Sequence, residues 1–426
     1  MSDKPHLRVG LAGLGTVGAT VAQQILAGAI EGVSLSCVSA RDKNKDRGFD
    51  ISGLPFVTDP LDMVADETVD VIVELIGGQD GTAYDVVKAS LQAGKPVVSA
   101  NKALLAAHAS ELSDLSARPD GLAVPLAYEA AVAGGIPVIK ALREGLAGNQ
   151  ITRLSGILNG TCNYILTRME EAKLSFEDAL DEAQVKGFAE ADPTLDISGV
   201  DAAQKLSLLS ALAFGLAPDY TKMPVAGIQA ISPQDIFFAS QFDCVIRLVG
   251  VSERHQGAVY QRVTPMLVRR NNNLAQVRQE LNAVMVRATP LGDLFLQGPG
   301  AGGGATASAV LADIADLALG FGRPLFSAPV SQMHTPSSQK APEWEYYLRA
   351  GLADKPGSMA KATQILAENG VSIEEVIQRS SSNSGGFLPV VFITHEVDES
   401  SLNNALAALQ QQDVCQGVLC LPIFAD

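Results

Sequence analysis

The chain has 426 residues, a formal net charge of −16, 47% hydrophobic residues and 18% charged ones. At about 150 residues per domain this length implies roughly three domains with well-buried cores. The low charge and ample apolar content exclude disorder over most of the chain and hint at an oligomer that hides part of its exterior. So negative a chain repels phosphate backbones and anionic lipids, so neither nucleic acid nor a membrane surface is expected as a main partner. Cys37, Cys162, Cys244, Cys415 and Cys420 are scattered without metal-site spacing and read as reduced core residues. No signal-peptide pattern opens the chain and no apolar run approaches the roughly 18 residues of a membrane span, so a soluble cytoplasmic protein is expected.

From Leu7 to about Ile139 short apolar runs alternate with helix-length amphipathic segments. The runs Leu7–Leu11, Val33–Val38, Val69–Leu75, Pro96–Ser99 and Leu122–Leu126 are unbroken, as strands buried on both faces are, which gives a parallel α/β sheet of Rossmann type. After Gly148 the pattern becomes a strand (Ile151–Leu158) and helices at Asn163–Glu171, Phe176–Lys186 and Val200–Phe214. Strands at Cys244–Val251, Val259–Val268 and Ala283–Ala288 follow, separated by polar turns such as Ser252–Gly257 and Arg269–Asn273, and complete an α+β domain. A glycine cluster, Gly298–Gly304, opens a helix through about Leu319, and the proline- and serine-rich stretch 322–343 reads as a linker. Beyond it strand Tyr346–Gly351, helix Ser358–Asn369, strands Ile373–Arg379 and Pro389–Thr394, helix Leu402–Gln410 and strand Val414–Pro422 spell a ferredoxin-like βαββαβ module. The expected domains are therefore 1–135, to which helix 305–320 returns, 136–304, and 344–426.

The first strand runs into Gly13-Leu14-Gly15-Thr16-Val17-Gly18, the dinucleotide fingerprint in its strand–turn–helix context. Gly13 permits the tight turn, Gly15 lets the backbone approach a pyrophosphate, Gly18 lets helix pack on strand, and the helix N-terminus offers amides to the anion. Where an NAD enzyme carries an acid after its second strand, this chain has Ser39-Ala40-Arg41-Asp42-Lys43. Arg41 and Lys43 would clamp a 2′-phosphate, which favours NADP. Asp42 turned inward would favour NAD, and a basic pair facing solvent is the plain alternative.

Strand Pro96–Ser99 ends in Ala100-Asn101-Lys102, which places a cation at a helix N-terminus against the macrodipole and at the carboxyl end of a sheet strand, where ligands bind. On helix Val200–Phe214, Asp201 and Lys205 share a face. At 100° per residue they align with Leu208 and Leu212 inside the apolar arc, with Gln204, Ser207 and Ser210 on the other side. A surface ion pair and a functional pair on the buried stripe stand level on this pattern alone. Upstream, Gly187-Phe188-Ala189-Glu190-Ala191-Asp192-Pro193 is an acidic loop.

Together with Gly160-Thr161-Cys162-Asn163-Tyr164-Ile165-Leu166 and Gly199-Val200-Asp201-Ala202-Ala203-Gln204-Lys205, these segments resemble the homoserine dehydrogenase family over about the first 320 residues. The resemblance implies reversible NAD(P)-dependent reduction of L-aspartate 4-semialdehyde to L-homoserine in threonine and methionine biosynthesis. It implies Lys205 as the acid/base, Asp201 and Glu190 at the amino-acid end of the substrate, Lys102 at nicotinamide or substrate, and Ser99, Gly187 and Gly302 near the cofactor. Asp201 is expected to orient the amine or substrate rather than to generate a neutral base. The segment Tyr128-Glu129-Ala130-Ala131-Val132-Ala133-Gly134-Gly135-Ile136-Pro137 is similar to the family's monovalent-cation loop, with Glu129 and the carbonyls of Val132, Gly134 and Ile136 as ligands for an ion such as sodium. A tight strand-to-helix turn is the plain alternative there.

The last 80 residues or so resemble an ACT domain through Asp354-Lys355-Pro356-Gly357-Ser358 and Glu368-Asn369-Gly370-Val371. That resemblance implies feedback inhibition by L-threonine and a homodimer or homotetramer, a purely structural module being the alternative. Two other functions compete. An acylating semialdehyde dehydrogenase would use Cys162 as nucleophile but needs an adjacent base, and no histidine neighbours it in sequence. A nonenzymatic nucleotide- and amino-acid-sensing regulator would have no need to bury Lys205 and Asp201.

Overall fold

The unbroken valine, isoleucine and leucine runs become strands and the amphipathic stretches between them become helices. The computed structural model describes residues 6–117, 123–334, 341–379 and 386–425. In chain order it begins with β1 (Leu7–Ala12), α1 (Thr16–Leu26), β2 (Val33–Ser39), β3 (Phe56–Val57), α2 (Leu61–Ala65), β4 (Val71–Glu74), α3 (Thr82–Gln92) and β5 (Val97–Ser99). Next come α4 (Lys102–Ala107), α5 (Ala109–Ala117), β6 (Leu126–Ala127), α6 (Val138–Lys140), β7 (Gln150–Ile157), α7 (Gly160–Ala172), α8 (Phe176–Val185), α9 (Thr194–Ile197) and α10 (Val200–Phe214). Then α11 (Pro233–Gln241) precedes β8 (Cys244–His255), β9 (Ala258–Arg269), β10 (Leu281–Thr289), β11 (Gly292–Pro299) and α12 (Gly303–Ala318). The chain ends with β12 (Tyr346–Ala353), α13 (Ser358–Glu368), β13 (Ile373–Gln378), β14 (Phe387–Thr394), α14 (Glu399–Gln410) and β15 (Cys415–Phe424).

These elements fall into two compact units, one of residues 1–158, 202–223 and 281–336, the other of 159–201, 224–280 and 337–426. The first contains an all-parallel sheet in the order β3-β2-β1-β4-β5-β6, the doubly wound arrangement. Its core packs Val9, Leu11, Val71 and Val73 from the strands against Val21 and Ile25 of α1 and Ala307, Val310 and Ile314 of α12. The late helix α12 thus shares the core of the first sheet. Strands β11, β10 and β7 form an antiparallel set in the same unit. Within the stretch expected to be a linker, 323–334 is packed rather than free. Leu325 and Phe326 are buried, Leu126 donates to the Arg323 carbonyl at 3.0 Å, and His334 bridges to Leu216.

In the second unit the order is β8-β9-β15-β12-β14-β13, so the C-terminal βαββαβ module shares one sheet with the β8–β9 hairpin. Ile423 and Phe424 of β15 pair in parallel with Leu267 and Val268 of β9. The hairpin is longer than its polar residues suggest: Ser252 to His255 stay in β8, and the turn is confined to Gln256-Gly257. Helix α11, which no apolar periodicity announces, is fixed by a capping box in which Ser232 and Asp235 exchange hydrogen bonds. The buried Asp235 also accepts from Arg349 Nε at 2.6 Å and from the Tyr347 hydroxyl at 3.0 Å on β12.

Three further expectations change. The strand expected at Leu122–Leu126 begins outside the described residues and is reduced to Leu126–Ala127. Strand β3 has only two residues, too few to register as a run. Gly298 belongs to β11, opposite Asn282, rather than to the start of a helix.

Candidate functional site

The fingerprint glycines are forced by the turn between β1 and α1. Gly13 has φ of +107°, and a Cβ there would lie 2.4 Å from the Leu75 carbonyl oxygen; a Cβ on Gly18 would lie 1.9 Å from the Gly13 carbonyl oxygen. Gly15, by contrast, faces open space. It is the N-cap of α1 without a side-chain cap, and the first turn holds no acid, so no side chain of that turn neutralises the positive end of the helix. Thr16 and Val17 open the helix, and Thr16 lies against α12: a Cβ on Gly303 would meet its Cγ2 at 2.8 Å. Gly302, the expected contact, is the N-cap of α12, with open space in front of it; Gly303 makes the close approach.

A cavity of about 690 Å³ opens at the carboxyl ends of β1, β2 and β4, lined by Gly13, Leu14 and Gly15 from the turn, Ser39 and Arg41 beyond β2, and Gly77 beyond β4. Its size, and its position beside the glycine turn at the carboxyl ends of the strands, fit a dinucleotide, and its charged lining is mixed, with Asp42, Asp59 and Asp80 beside Arg41, Lys45 and Arg47. Arg41 lines it as expected. Lys43 does not lie among the lining residues but sits 5.5 Å from the centre of the Phe56 ring. Lys45 and Arg47, which the sequence reading passed over, line the cavity instead. They follow no periodic pattern, and only the folding of an irregular loop brings them in. Asp42 also lines it, with Oδ1 accepting from the Asn44 amide at 2.8 Å.

The neighbouring loops are tied together by a buried carboxylate. Glu74, at the end of β4, accepts from the Ile76 and Gly77 amides at 2.8 and 3.1 Å and from the Ser99 hydroxyl at 2.7 Å. Ser99 accepts from the Asn101 amide, Asn101 donates to the Gly78 carbonyl at 2.6 Å, and its Oδ1 caps α4 at Leu104. Ser99 is therefore a support for the strand-end loops, and Lys102 is the first residue of α4, half-buried. A glutamate inside an apolar strand run was the signal for this network.

Lys205 is 8% exposed, and its Nζ donates to the Leu158 carbonyl at 2.8 Å. The same carbonyl accepts from Asn282 Nδ2 at 3.0 Å. The burial of Asp201 and Lys205 decides the question their spacing left open: this is no surface ion pair. The reason differs from the one expected, because Gln204, Ser207 and Ser210 are buried too and α10 has no solvent-facing polar side. Ser207 and Ser210 satisfy their hydroxyls on the helix's own carbonyls, Gln204 and Leu206.

In the second unit Asn159 organises the acids. Its Nδ2 donates to Asp196 at 2.7 Å and to Asp201 at 2.9 Å, while its Oδ1 caps α7 at the Cys162 amide. Cys162 is buried with its thiol donating to the Asp196 carbonyl at 3.2 Å, which leaves it a packed helix-start residue rather than an activated nucleophile. Gly187 ends α8 with φ of +76°, and Phe188 of the same loop packs on Tyr164, ring centres 4.7 Å apart. Glu190 is exposed.

Glu129 is 2% exposed and accepts from the Ile139 and Lys140 amides at 2.8 and 2.9 Å, so it caps α6. Burial pushes its carboxyl up to about 7 against those two hydrogen bonds, and Asp313, which accepts from the Glu129 amide at 2.9 Å, adds to the rise. In the segment holding Val132, Gly134 and Ile136, the Gly134 and Gly135 amides donate to the carbonyls of Gly300 and Pro299. The Ile136 carbonyl accepts from the Val138 amide at 2.7 Å, and the Lys140 ammonium lies 3.8 Å from Asp313 and 2.6 Å from Asp316, so a cation of the chain's own already faces this pair of buried acids.

The doubly wound sheet with its glycine turn defines a dinucleotide-binding domain of Rossmann type. Family models match in three places: homoserine dehydrogenase, NAD binding domain, over residues 13–121, homoserine dehydrogenase over 137–315, and ACT domain over 346–414. The homoserine dehydrogenase of Pseudomonas aeruginosa is 38% identical over 430 residues, covering 96% of this chain and 97% of its own. A crystal structure of a homoserine dehydrogenase from Thiobacillus denitrificans superposes with a TM-score of 0.89 at 36% identity, covering 98% of both chains. A hyperthermophilic archaeal homoserine dehydrogenase solved in complex with NADPH gives 0.62 at 28% identity over 75% of this chain and 99% of its own. The chain belongs to the homoserine dehydrogenase family, with a C-terminal ACT domain. Among the described residues no helix is long and apolar enough to cross a membrane.

Proposed function

We propose that Lys205 is the proton donor in the reversible NADPH-dependent reduction of L-aspartate 4-semialdehyde to L-homoserine. One observation carries this reading: an ammonium 8% exposed, fixed on the Leu158 carbonyl that Asn282 also holds. Bound NADPH would supply the hydride to the aldehyde carbon. Lys205 Nζ would give a proton to the carbonyl oxygen as charge develops there, so that the oxygen stays on carbon as the hydroxyl of the product. The carboxylate of Asp201, oriented by Asn159, and that of Glu190 would receive the substrate's ammonium end, and Lys102 would meet cofactor or substrate at the end of β5. Residues 13–18, with Arg41 and Lys45, would hold the nucleotide, and these two side chains support NADP over NAD although Asp42, Asp59 and Asp80 line the same cavity. Glu129 with the carbonyls of Val132, Gly134 and Ile136 would hold a monovalent cation such as sodium.

In this reading 1–135 with the late helix 305–320 binds the dinucleotide, 136–304 the substrate and 344–426 an effector. L-threonine is the effector proposed, and pairing of ACT modules into a homodimer or homotetramer would build its sites. Strand β13 supports such pairing, since it ends its sheet as an edge strand among the described residues. The test is NADPH consumption with aspartate semialdehyde by wild type and Lys205→Ala. The variant should lose about 10²- to 10⁴-fold in kcat with NADPH binding retained; unchanged kcat would remove Lys205 from the chemistry. L-Threonine added to the same wild-type assay should depress the rate.

A further inference from the structure

The loop after β2 carries an arginine whose side chain faces its own backbone. Arg47 Nε donates to the Leu14 carbonyl at 3.3 Å, Nη1 to the Lys43 and Lys45 carbonyls at 3.3 and 2.7 Å, and Nη2 to the Asp42 carbonyl. Four of its five N–H groups are thus committed to carbonyls, three in the loop and one in the glycine turn. A guanidinium occupied in this way has little left for a ligand, although it borders the cavity. Two side chains of the same loop region, Arg41 and Lys45, line that cavity too. Short local turns at Asp42–Asn44 and Asp46–Gly48 complete the loop, and Arg47 Nε ties it to the turn between β1 and α1.

We propose that Arg47 is a positioning residue for cofactor choice: it clamps the 42–47 loop to the glycine turn and so holds Arg41 and Lys45 where a 2′-phosphate would lie. The proposal rests on the NADP reading above and extends it to a residue that itself touches no phosphate. Geometry rather than charge is what the clamp supplies, because a planar fork reaches four carbonyls at once and an ammonium cannot. Both Arg47→Ala and Arg47→Lys should therefore loosen the loop.

The experiment measures KM and kcat with NADPH and with NADH for wild type, Arg47→Lys, Arg47→Ala and Arg41→Ala. Both Arg47 variants should raise the KM for NADPH about tenfold, roughly the loss of one charge-assisted phosphate contact. The KM for NADH and the kcat at saturation should change much less, and turnover with NADH shows that the variants fold. The clamp is overturned if Arg47→Lys keeps the wild-type KM for NADPH, because charge alone would then suffice. It is overturned as well if the KM values for NADPH and NADH rise together. The underlying reading fails separately, if wild type shows no preference for NADPH and Arg41→Ala leaves both KM values alone.

Discussion

Two strand-to-helix turns of the first unit present backbone amides to an anion, and they differ in where the anion comes from. In the turn from β1 into α1 the N-cap is a glycine, no acid occupies the first turn, and the space before Gly15 is open. In the segment leading to α6, the chain brings its own carboxylate: Glu129 is buried onto the Ile139 and Lys140 amides. Helix starts need their orphan amides satisfied. A turn that the protein caps for itself is spent on structure. A turn that it declines to cap keeps its positive field for a ligand. The two turns follow strands β1 and β6 of the same sheet, and the first has open space before its N-cap.

The largest effect should come from removing the shape of the open turn. In Gly18→Ala the new methyl would sit 1.9 Å from the Gly13 carbonyl oxygen, so the strand–turn–helix cannot close as it stands. NADPH titration should show affinity falling at least about 100-fold, with a lower Tm. Gly15→Ala is the partner experiment. Nothing lies within 4 Å of its Cβ, so Tm should hold while NADPH binding weakens, which separates ligand contact from fold. Equal losses of Tm in the two variants would dissolve the distinction. Next in size is Glu129→Ala, which leaves two buried amides without their acceptor. Each such group costs about 1–3 kcal/mol, and the relief of a buried carboxylate offsets part, so urea unfolding should show a net loss of about 2 kcal/mol. NADPH affinity should not move; if it does, the two turns are coupled.

How much of this was legible in the sequence also differs between regions. The glycine turn and helix α10 follow from the sequence because each is encoded locally, by fixed spacing in one and an unbroken helical segment in the other. Strands β3 and β11 and helix α11 were not foreseen. The first is two residues long, the second is an exposed-leaning edge strand, and the third owes its start to the Ser232–Asp235 exchange rather than to an apolar stripe. The same contrast runs through the site. For Lys205 and Asp201 a phase argument that assumed one wet face left a surface pair and a buried pair level, yet α10 is buried on every side, which no single-helix pattern can reveal. Lys45, Arg47 and Asn282 were missed because loop closure and strand pairing, both long-range events, bring them to their partners. Glu74 was passed over inside a run read as unbroken, and strand pairing sets it beside Ser99.

The smallest effect is also the most direct challenge to the comparison, because it converts the open turn toward the closed one. Thr16 is exposed at the first position of α1, and Thr16→Asp would place a carboxylate on the positive end of that helix. Without cofactor the substitution should stabilise the protein by about 0.3–1 kcal/mol, since an acid at a helix N-terminus favours the dipole. With cofactor the same charge opposes the pyrophosphate, and the KM for NADPH should rise about tenfold, an effect that weakens as salt screens it. A gain in stability together with a loss of affinity is what distinguishes a site held open for a ligand from a turn that merely lacks a cap. If Thr16→Asp stabilises the protein and leaves NADPH affinity unchanged, the pyrophosphate does not sit on the leading amides of α1, and the open turn needs another occupant.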